Sequence, residues 1–232
     1  PQVIEESGAS VVITRPEHLE VFEEADALRE TGPPLTRLIE ADLHAYQPSS
    51  DERLPEAAPI GPSRLAYILF TSGSTGRPKC VMVEHGGMLN HVYGKLNDLG
   101  IGAGDVVAQN GPASFDVSVW QWLGPLVAGG AGGRALVVPD DVARDPAALL
   151  EAVISGGVNI LEMVPSLMTL LVDEIVRRGA SRPSLAALGW MLPTGETPPP
   201  ELCRRWLALA PHAPLMNTYG HTECSDDEVH WK

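Results

Sequence analysis

Along most of the chain, short apolar runs alternate with longer stretches in which apolar positions recur every three or four residues. The short runs, rich in Val, Ile and Leu, predict strands at Ala9–Thr14, Leu65–Phe70, Cys80–Val83, Val106–Gln109, Ala135–Val138, Asn159–Met163, Leu188–Leu192 and Leu215–Thr218. The longer stretches predict helices at His85–Leu96, Asp116–Val127, Ala147–Ile154, Pro165–Arg178 and Pro200–Ala210. Asp145-Pro146 marks the start of the third helix, because an aspartate can accept the free N–H groups of a first turn and a proline there has no N–H to lose. Strand, helix, strand repetition implies an α/β fold of mostly parallel sheets with helices on both faces. Ligands of such sheets sit at the carboxyl ends of the strands. Gln47–Ser63 breaks the rhythm with Pro, Ser and acidic residues and no periodicity, and is expected to be a surface connection.

Composition narrows the function. The 232 residues suit one large domain or two small ones, and 30 acidic against 16 basic side chains leave a formal charge of −14. That excess argues against a nucleic-acid partner and against a membrane surface, both of which call for clustered Lys and Arg. No apolar run reaches the roughly 18 residues of a bilayer span, and no signal peptide is visible. Cys80, Cys203 and Cys224 are odd in number and widely spaced, without a zinc or dithiol pattern, so a reducing, cytoplasmic compartment is expected. Pro1 at the start and Lys232 at the end suggest an internal piece of a longer protein.

The strongest chemical signal follows the strand at 65–70. Thr71-Ser72-Gly73-Ser74-Thr75-Gly76-Arg77-Pro78-Lys79 packs four hydroxyls, two glycines and a lysine into nine residues. Glycines let backbone N–H groups approach a polyanion, hydroxyls add donors, and the lysine brings a mobile positive charge. A solvated Ser/Gly turn is the bland alternative. The segment is not the G-x-x-x-x-G-K-[ST] loop, because its lysine follows a proline.

Leu65–Lys79 resembles the phosphate-binding signature of the acyl-adenylate-forming enzymes, in particular the adenylation domains of nonribosomal peptide synthetases. Three further stretches agree in order and spacing. Phe115-Asp116-Val117-Ser118-Val119-Trp120 is similar to that family's Phe-Asp-x-Ser segment, Pro193-Thr194-Gly195-Glu196 to its adenine-side turn, and Asn217-Thr218-Tyr219-Gly220-His221-Thr222-Glu223 to its N-x-Y-G-P-T-E motif. The resemblance covers nearly the whole chain and implies a fragment of the large N-terminal subdomain, with the upstream strands and the C-terminal subdomain lying outside it. The isolated fragment is then expected to bind ATP weakly and to form no adenylate.

The implied reaction is amino-acid activation: ATP-dependent formation of an aminoacyl adenylate and pyrophosphate, with Mg²⁺, then loading onto a phosphopantetheine arm. The implied partners are peptidyl carrier and condensation domains of the same assembly line. By this resemblance Thr71, Ser72, Gly73, Ser74, Thr75, Gly76 and Lys79 would hold the pyrophosphate end. Tyr219 and Gly220 would take the adenine face, with Asn217, Gly195 and Glu196 along its edge. Thr222 would touch the α-phosphate and Glu223 would ligate Mg²⁺. Asp116 would pair with the substrate's α-ammonium group, which distinguishes amino acids from plain carboxylic acids. Taken alone, Asp116 could equally cap a helix, Tyr219 could be a core aromatic, and Glu223 a solvated acid.

Substrate choice is implied for Val117, Trp120, Glu162, Leu192, Thr194, Thr218, Asp226 and Asp227. Three of these are acids, which points to a basic or polar amino acid if they face one cavity; otherwise Ser225-Asp226-Asp227 is a capped turn in solvent. Two positions depart from the family pattern: Cys80 where a glycine follows the lysine, and His221 in place of proline. The alternative functions are a standalone acyl-CoA or aryl-acid ligase, which generally lacks the aspartate, and a degenerate noncatalytic domain.

Overall fold

The computed structural model describes residues 2–27, 36–39, 59–72, 78–128, 133–179 and 184–232. Within them the strands are β1 (Val11–Thr14), β2 (Thr36–Ile39), β3 (Leu65–Thr71), β4 (Lys79–Glu84), β5 (Val106–Gln109), β6 (Arg134–Val137), β7 (Ile160–Met163), β8 (Trp190–Pro193), β9 (Asn217–His221) and β10 (Asp226–Trp231). The helices are α1 (Gln2–Ser7), α2 (Leu19–Ala27), α3 (His85–Leu99), α4 (Val117–Ala128), α5 (Asp140–Arg144), α6 (Pro146–Ser155), α7 (Pro165–Arg178) and α8 (Pro200–Leu209). Each strand and helix predicted from the apolar pattern has a counterpart, with β1, β8 and β9 starting two residues late. β2, β10, α1, α2 and α5 carry no such pattern. Residues 59–63 of the expected surface connection hold neither strand nor helix, and the rest of it lies outside the described residues.

The central sheet has the order β6-β5-β7-β8 and all its pairs are parallel. The chain goes outward from β5 to β6, then returns to lay β7 on the other side of β5. The strand order therefore reverses between β5 and β7, and such a reversal leaves a crevice at the carboxyl ends of the two strands. β1 and β2 form a separate parallel pair. β3 with β4 and β9 with β10 are antiparallel ribbons, so the mostly parallel expectation holds for the central sheet and not for the two ribbons.

Alternation along the strands divides the apolar side chains between two cores. Val106, Ala108, Leu161, Met163 and Met191 pack with Leu149 and Leu150 of α6, Met168 and Leu171 of α7 and Trp206 of α8. Val107, Ile160 and Leu192 face the other way, toward Val92 and Leu96 of α3 and Trp120 of α4. Both faces of the sheet are covered, which is why its strands read as unbroken apolar runs. Glu162 shares its face with Ile160 by the same period of two, so β7 aims a carboxylate into the second core.

The cap foreseen at Asp145 forms, with its Oδ1 accepting Ala147 N–H at 2.8 Å and Ala148 N–H at 3.1 Å. Asp145→Ala should cost about 1 kcal/mol of stability, read from the urea midpoint; an unchanged midpoint would show that the cap contributes nothing.

Candidate functional site

Thr71 and Lys79 are register partners at the open end of the β3/β4 ribbon, so the nine-residue phosphate turn is closed by a strand pair. Thr71 is half-buried, while Ser72 and Lys79 are exposed; Gly73, Ser74, Thr75 and Gly76 lie outside the described residues. Cys80 pairs with Phe70 in the same ladder and has no positive φ. The position asks only for strand geometry, so the glycine expected there is not needed. β4 also packs against the 3-10 turn Thr222–Cys224, which puts the strand leaving the phosphate turn beside Thr222 and Glu223.

On the other side of that turn, a cavity of about 190 Å³ is lined by Gly195, Glu196, Asn217, Thr218, Tyr219 and Gly220 among others. Tyr219 is 63% exposed, an aromatic face open to a ligand rather than a core ring. Gly220 admits no side chain, because a Cβ would lie 1.9 Å from the Asp226 carbonyl oxygen. Glu196 is engaged at the start of α7, accepting Ser166 N–H at 3.1 Å and Ser166 Oγ–H at 3.0 Å. Glu223 is exposed, with His221 Nδ1 3.8 Å from its carboxylate. His221 takes φ −153°, which a proline ring excludes, and its Nε2 lies 2.9 Å from Glu228 Oε1.

Asp116 links two of the segments. Its Oδ2 accepts the Thr222 hydroxyl at 2.6 Å, and its Oδ1 accepts the N–H of Val117, the first residue of α4. A helix cap would reach the second or third helical residue, and no such bond is formed.

Val117, Glu162 and Thr194 line a second cavity, of about 180 Å³, together with Asn110, Pro112, Phe115, Met163 and Leu167 among others. It opens where β5 and β7 end, at the crevice of the strand-order reversal. Trp120 and Leu192 are fully buried behind it, and Thr218 belongs to the lining of the first cavity. Asp226 and Asp227 are not in solvent: Asp226 is 6% exposed and the Asp227 side chain 1%. Ser225 (φ 70°) and Asp226 (φ 99°) hold left-handed backbone that L residues rarely adopt, a strain of about 1–3 kcal/mol each, and this bend carries Asp226 inward.

The sequence of the AMP-binding enzyme family matches residues 2–226 of this protein. The chain belongs to that family. It is 36% identical over 231 residues to enterobactin synthase component F of Escherichia coli (strain K12), a match covering 99% of this chain and 16% of that protein. It is 33% identical over 230 residues to phosphinothricin tripeptide synthetase PhsB of Streptomyces viridochromogenes, covering 99% and 18%. The chain thus spans less than a fifth of the length of these relatives. Among solved structures, the nonribosomal peptide synthetase FmoA3 (S1046A) in its α-methyl-L-serine-AMP bound form superposes with a TM-score of 0.78 at 26% identity, covering 99% of this chain and 24% of that one. Among the described residues, no helix is long and apolar enough to cross a membrane.

Within this AMP-binding fold, the acids nominated for substrate choice surround a residue that the sequence reading missed. Lys95 of α3 is 0% exposed and places Nζ 3.0 Å from Glu162 Oε1 and 2.5 Å from Asp227 Oδ2. Glu162 also accepts the Trp120 indole N–H at 2.6 Å and the Thr218 hydroxyl at 3.3 Å. The one trace of Lys95 in the sequence is its place within the apolar stripe of Val92, Leu96 and Leu99. Burial pushes Glu162 up to about 7 against the pull of Lys95. Burial and the Asp227 charge push Asp226 up to about 8. Burial also works on Asp227, but the His230 imidazole and the Lys95 ammonium outweigh it and hold Asp227 down at about 2. His91, 3.2 Å from Asp226, is lowered to about 4 by burial and by Lys95, so it is neutral at pH 7.

Asp226 therefore keeps a proton in the folded protein across a window, roughly pH 4 to 8, in which the unfolded chain has lost it. The folded state binds more protons there, so this residue's contribution to stability falls as pH rises through the window. Asp226→Asn should gain on the wild type between pH 5 and pH 8 in urea unfolding; a difference independent of pH would contradict the buried, protonated carboxyl.

Proposed function

We propose that the protein activates an amino acid by ATP-dependent adenylation and supplies it to the phosphopantetheine arm of a carrier domain in nonribosomal peptide synthesis. The hydrogen bond between Asp116 and Thr222 carries this reading. It sets a carboxylate able to receive an α-ammonium group beside the residues suited to the α-phosphate and its metal, joining the segment whose Phe115 and Val117 line one cavity to the segment whose Tyr219 and Gly220 line the other. The aminoacyl adenylate in the superposable FmoA3 structure supports the same reading.

In the reaction, a carboxylate oxygen of the amino acid attacks the α-phosphorus while the bond to the bridging oxygen breaks, and pyrophosphate leaves with the electron pair. No proton needs to move, so the protein's work is positioning and charge neutralisation. Lys79 and Ser72, both exposed where the phosphate turn begins and ends, would meet the leaving pyrophosphate. Tyr219 stacks on adenine beside the Gly220 backbone, and Asn217 and Gly195 take its edge. Asp116 exchanges the Thr222 hydroxyl for the substrate ammonium, freeing Thr222 for the α-phosphate. The exposed carboxylate of Glu223 offers the hard oxygen donor that Mg²⁺ prefers, and Mg²⁺ held there would offset phosphate charge. A plain carboxylic acid would leave Asp116 without its cation, which disfavours the acyl-CoA or aryl-acid ligase reading.

ATP–pyrophosphate exchange by the complete protein tests this. Exchange should depend on an amino acid, and Lys79→Ala and Glu223→Gln should each lower kcat/KM by about 10²–10³. Asp116→Ala should raise the amino-acid KM about 10²-fold with little change in that for ATP. Exchange driven by an aryl or fatty acid and by no amino acid would overturn the proposal.

A further inference from the structure

We propose that Lys95 is the resident cation of the substrate side-chain pocket, and that the pocket consequently selects an uncharged, apolar amino acid. This rests on the adenylation reading, with the crevice cavity taken as the place of the substrate side chain. The three acids nominated for substrate choice, of which Glu162 lines that cavity, call for a basic substrate when considered without a partner. The structure already pairs two of them, Glu162 and Asp227, with Lys95, and sets Asp226 against His91.

The cavity's wall is apolar, made largely by Pro112, Phe115, Val117, Met163 and Leu167, with the single charged group Glu162. That carboxylate faces inward to donors from the protein: Lys95 Nζ at 3.0 Å and the Thr218 hydroxyl at 3.3 Å on Oε1, and the Trp120 indole at 2.6 Å on Oε2. A carboxylate has about four lone-pair sites, so one is left for a ligand. Lys95 is spent as well. Its ammonium meets Glu162, Asp227 at 2.5 Å and the face of Trp120, 4.7 Å from the ring centroid. With about three N–H donors it has none to offer a substrate carboxylate.

The surrounding acids and histidines face one another, with His91 Nε2, Asp226 Oδ2, Asp227 Oδ2 and His230 Nε2 making no hydrogen bond of good geometry. His230 Nε2 stands 3.6 Å from Asp227 while its Nδ1 meets Asp98 at 2.5 Å, and His91 faces Asp226 at 3.2 Å. An ammonium or guanidinium on the substrate would approach Glu162 from the cavity with Lys95 already on the other side, like charge against like charge across a buried carboxylate. An acidic side chain would meet Glu162 with no free cation to receive it. An apolar group asks for neither. An apolar cavity of about 150 Å³ holds a benzene molecule, so the 180 Å³ here suits a branched aliphatic or phenyl-sized group.

The test is an amino-acid panel in ATP–pyrophosphate exchange with the complete protein, wild type and variants. The wild type should favour Val, Leu or Phe over Lys, ornithine, Arg, Asp and Glu by at least about 100-fold in kcat/KM. Lys95→Met should lose that bias and gain exchange with Lys or ornithine, whose ammonium would replace the missing one; Lys95→Met with Glu162→Gln should lose this gain again. A charged amino acid as the wild-type substrate would overturn the inference and leave the adenylation reading intact, and exchange with no amino acid would overturn both. Because the wild-type panel needs no substitution, it decides the question even where removal of a buried lysine prevents folding.

Discussion

A carboxylate closed off from water stays charged only where donors surround it. Glu162 meets that condition by tying together elements of which α3 and α4 also pack in the second core. α3 reaches it through Lys95, α4 through Trp120 and β9 through Thr218, and Lys95 extends the junction to Asp227 on β10. The two helices cover one face of the central sheet, and the β9/β10 ribbon carries the residues expected around the nucleotide. Deleting one partner would leave a buried charge uncompensated, a loss of about 3–5 kcal/mol, whereas apolar residues filling the whole junction would be about as stable. The junction is therefore better explained by the pocket it shapes than by the stability it adds.

The departures from the family pattern fit the same local logic. A glycine after the phosphate-turn lysine is needed only if the backbone turns there, and Cys80 continues a regular ladder opposite Phe70. His221 gives up the fixed φ of proline and extends β9 by one residue into the 3-10 turn, where it stands between Glu223 and Glu228. Neither residue displaces Tyr219, Thr222 or Glu223, the described residues proposed to meet the nucleotide and its metal.

Much of the fold was legible because the central sheet is covered on both sides, which writes its strands as apolar runs. Pro165–Arg178 and Val106–Gln109 were read with the bounds that the structure shows. β10 was not, because Asp-Asp-Glu-Val-His-Trp has neither an apolar run nor a clean alternation; its two aspartates face inward through a strained bend that no periodicity announces. The antiparallel pairing of β3 with β4 was equally hidden, since strand patterns do not show direction. The nucleotide-side residues were legible as short motifs. Lys95 was not, because a lysine within a helical apolar stripe is ordinarily a side chain whose head reaches solvent, and only the three-dimensional meeting with Glu162 and Asp227 shows that this one does not.

The central claim is geometric: one cleft holds the nucleotide against Tyr219, the amino group on Asp116 and the side chain above Glu162. A crystal structure of the complete protein with a non-hydrolysable aminoacyl-adenylate analogue measures it directly. The account predicts the ligand ammonium about 2.7–3.2 Å from the Asp116 carboxylate, with Thr222 released to the phosphate and Lys95 still bridging Glu162 and Asp227. Adenine bound away from Tyr219, or an ammonium held elsewhere while Asp116 keeps its bond to Thr222, would contradict it.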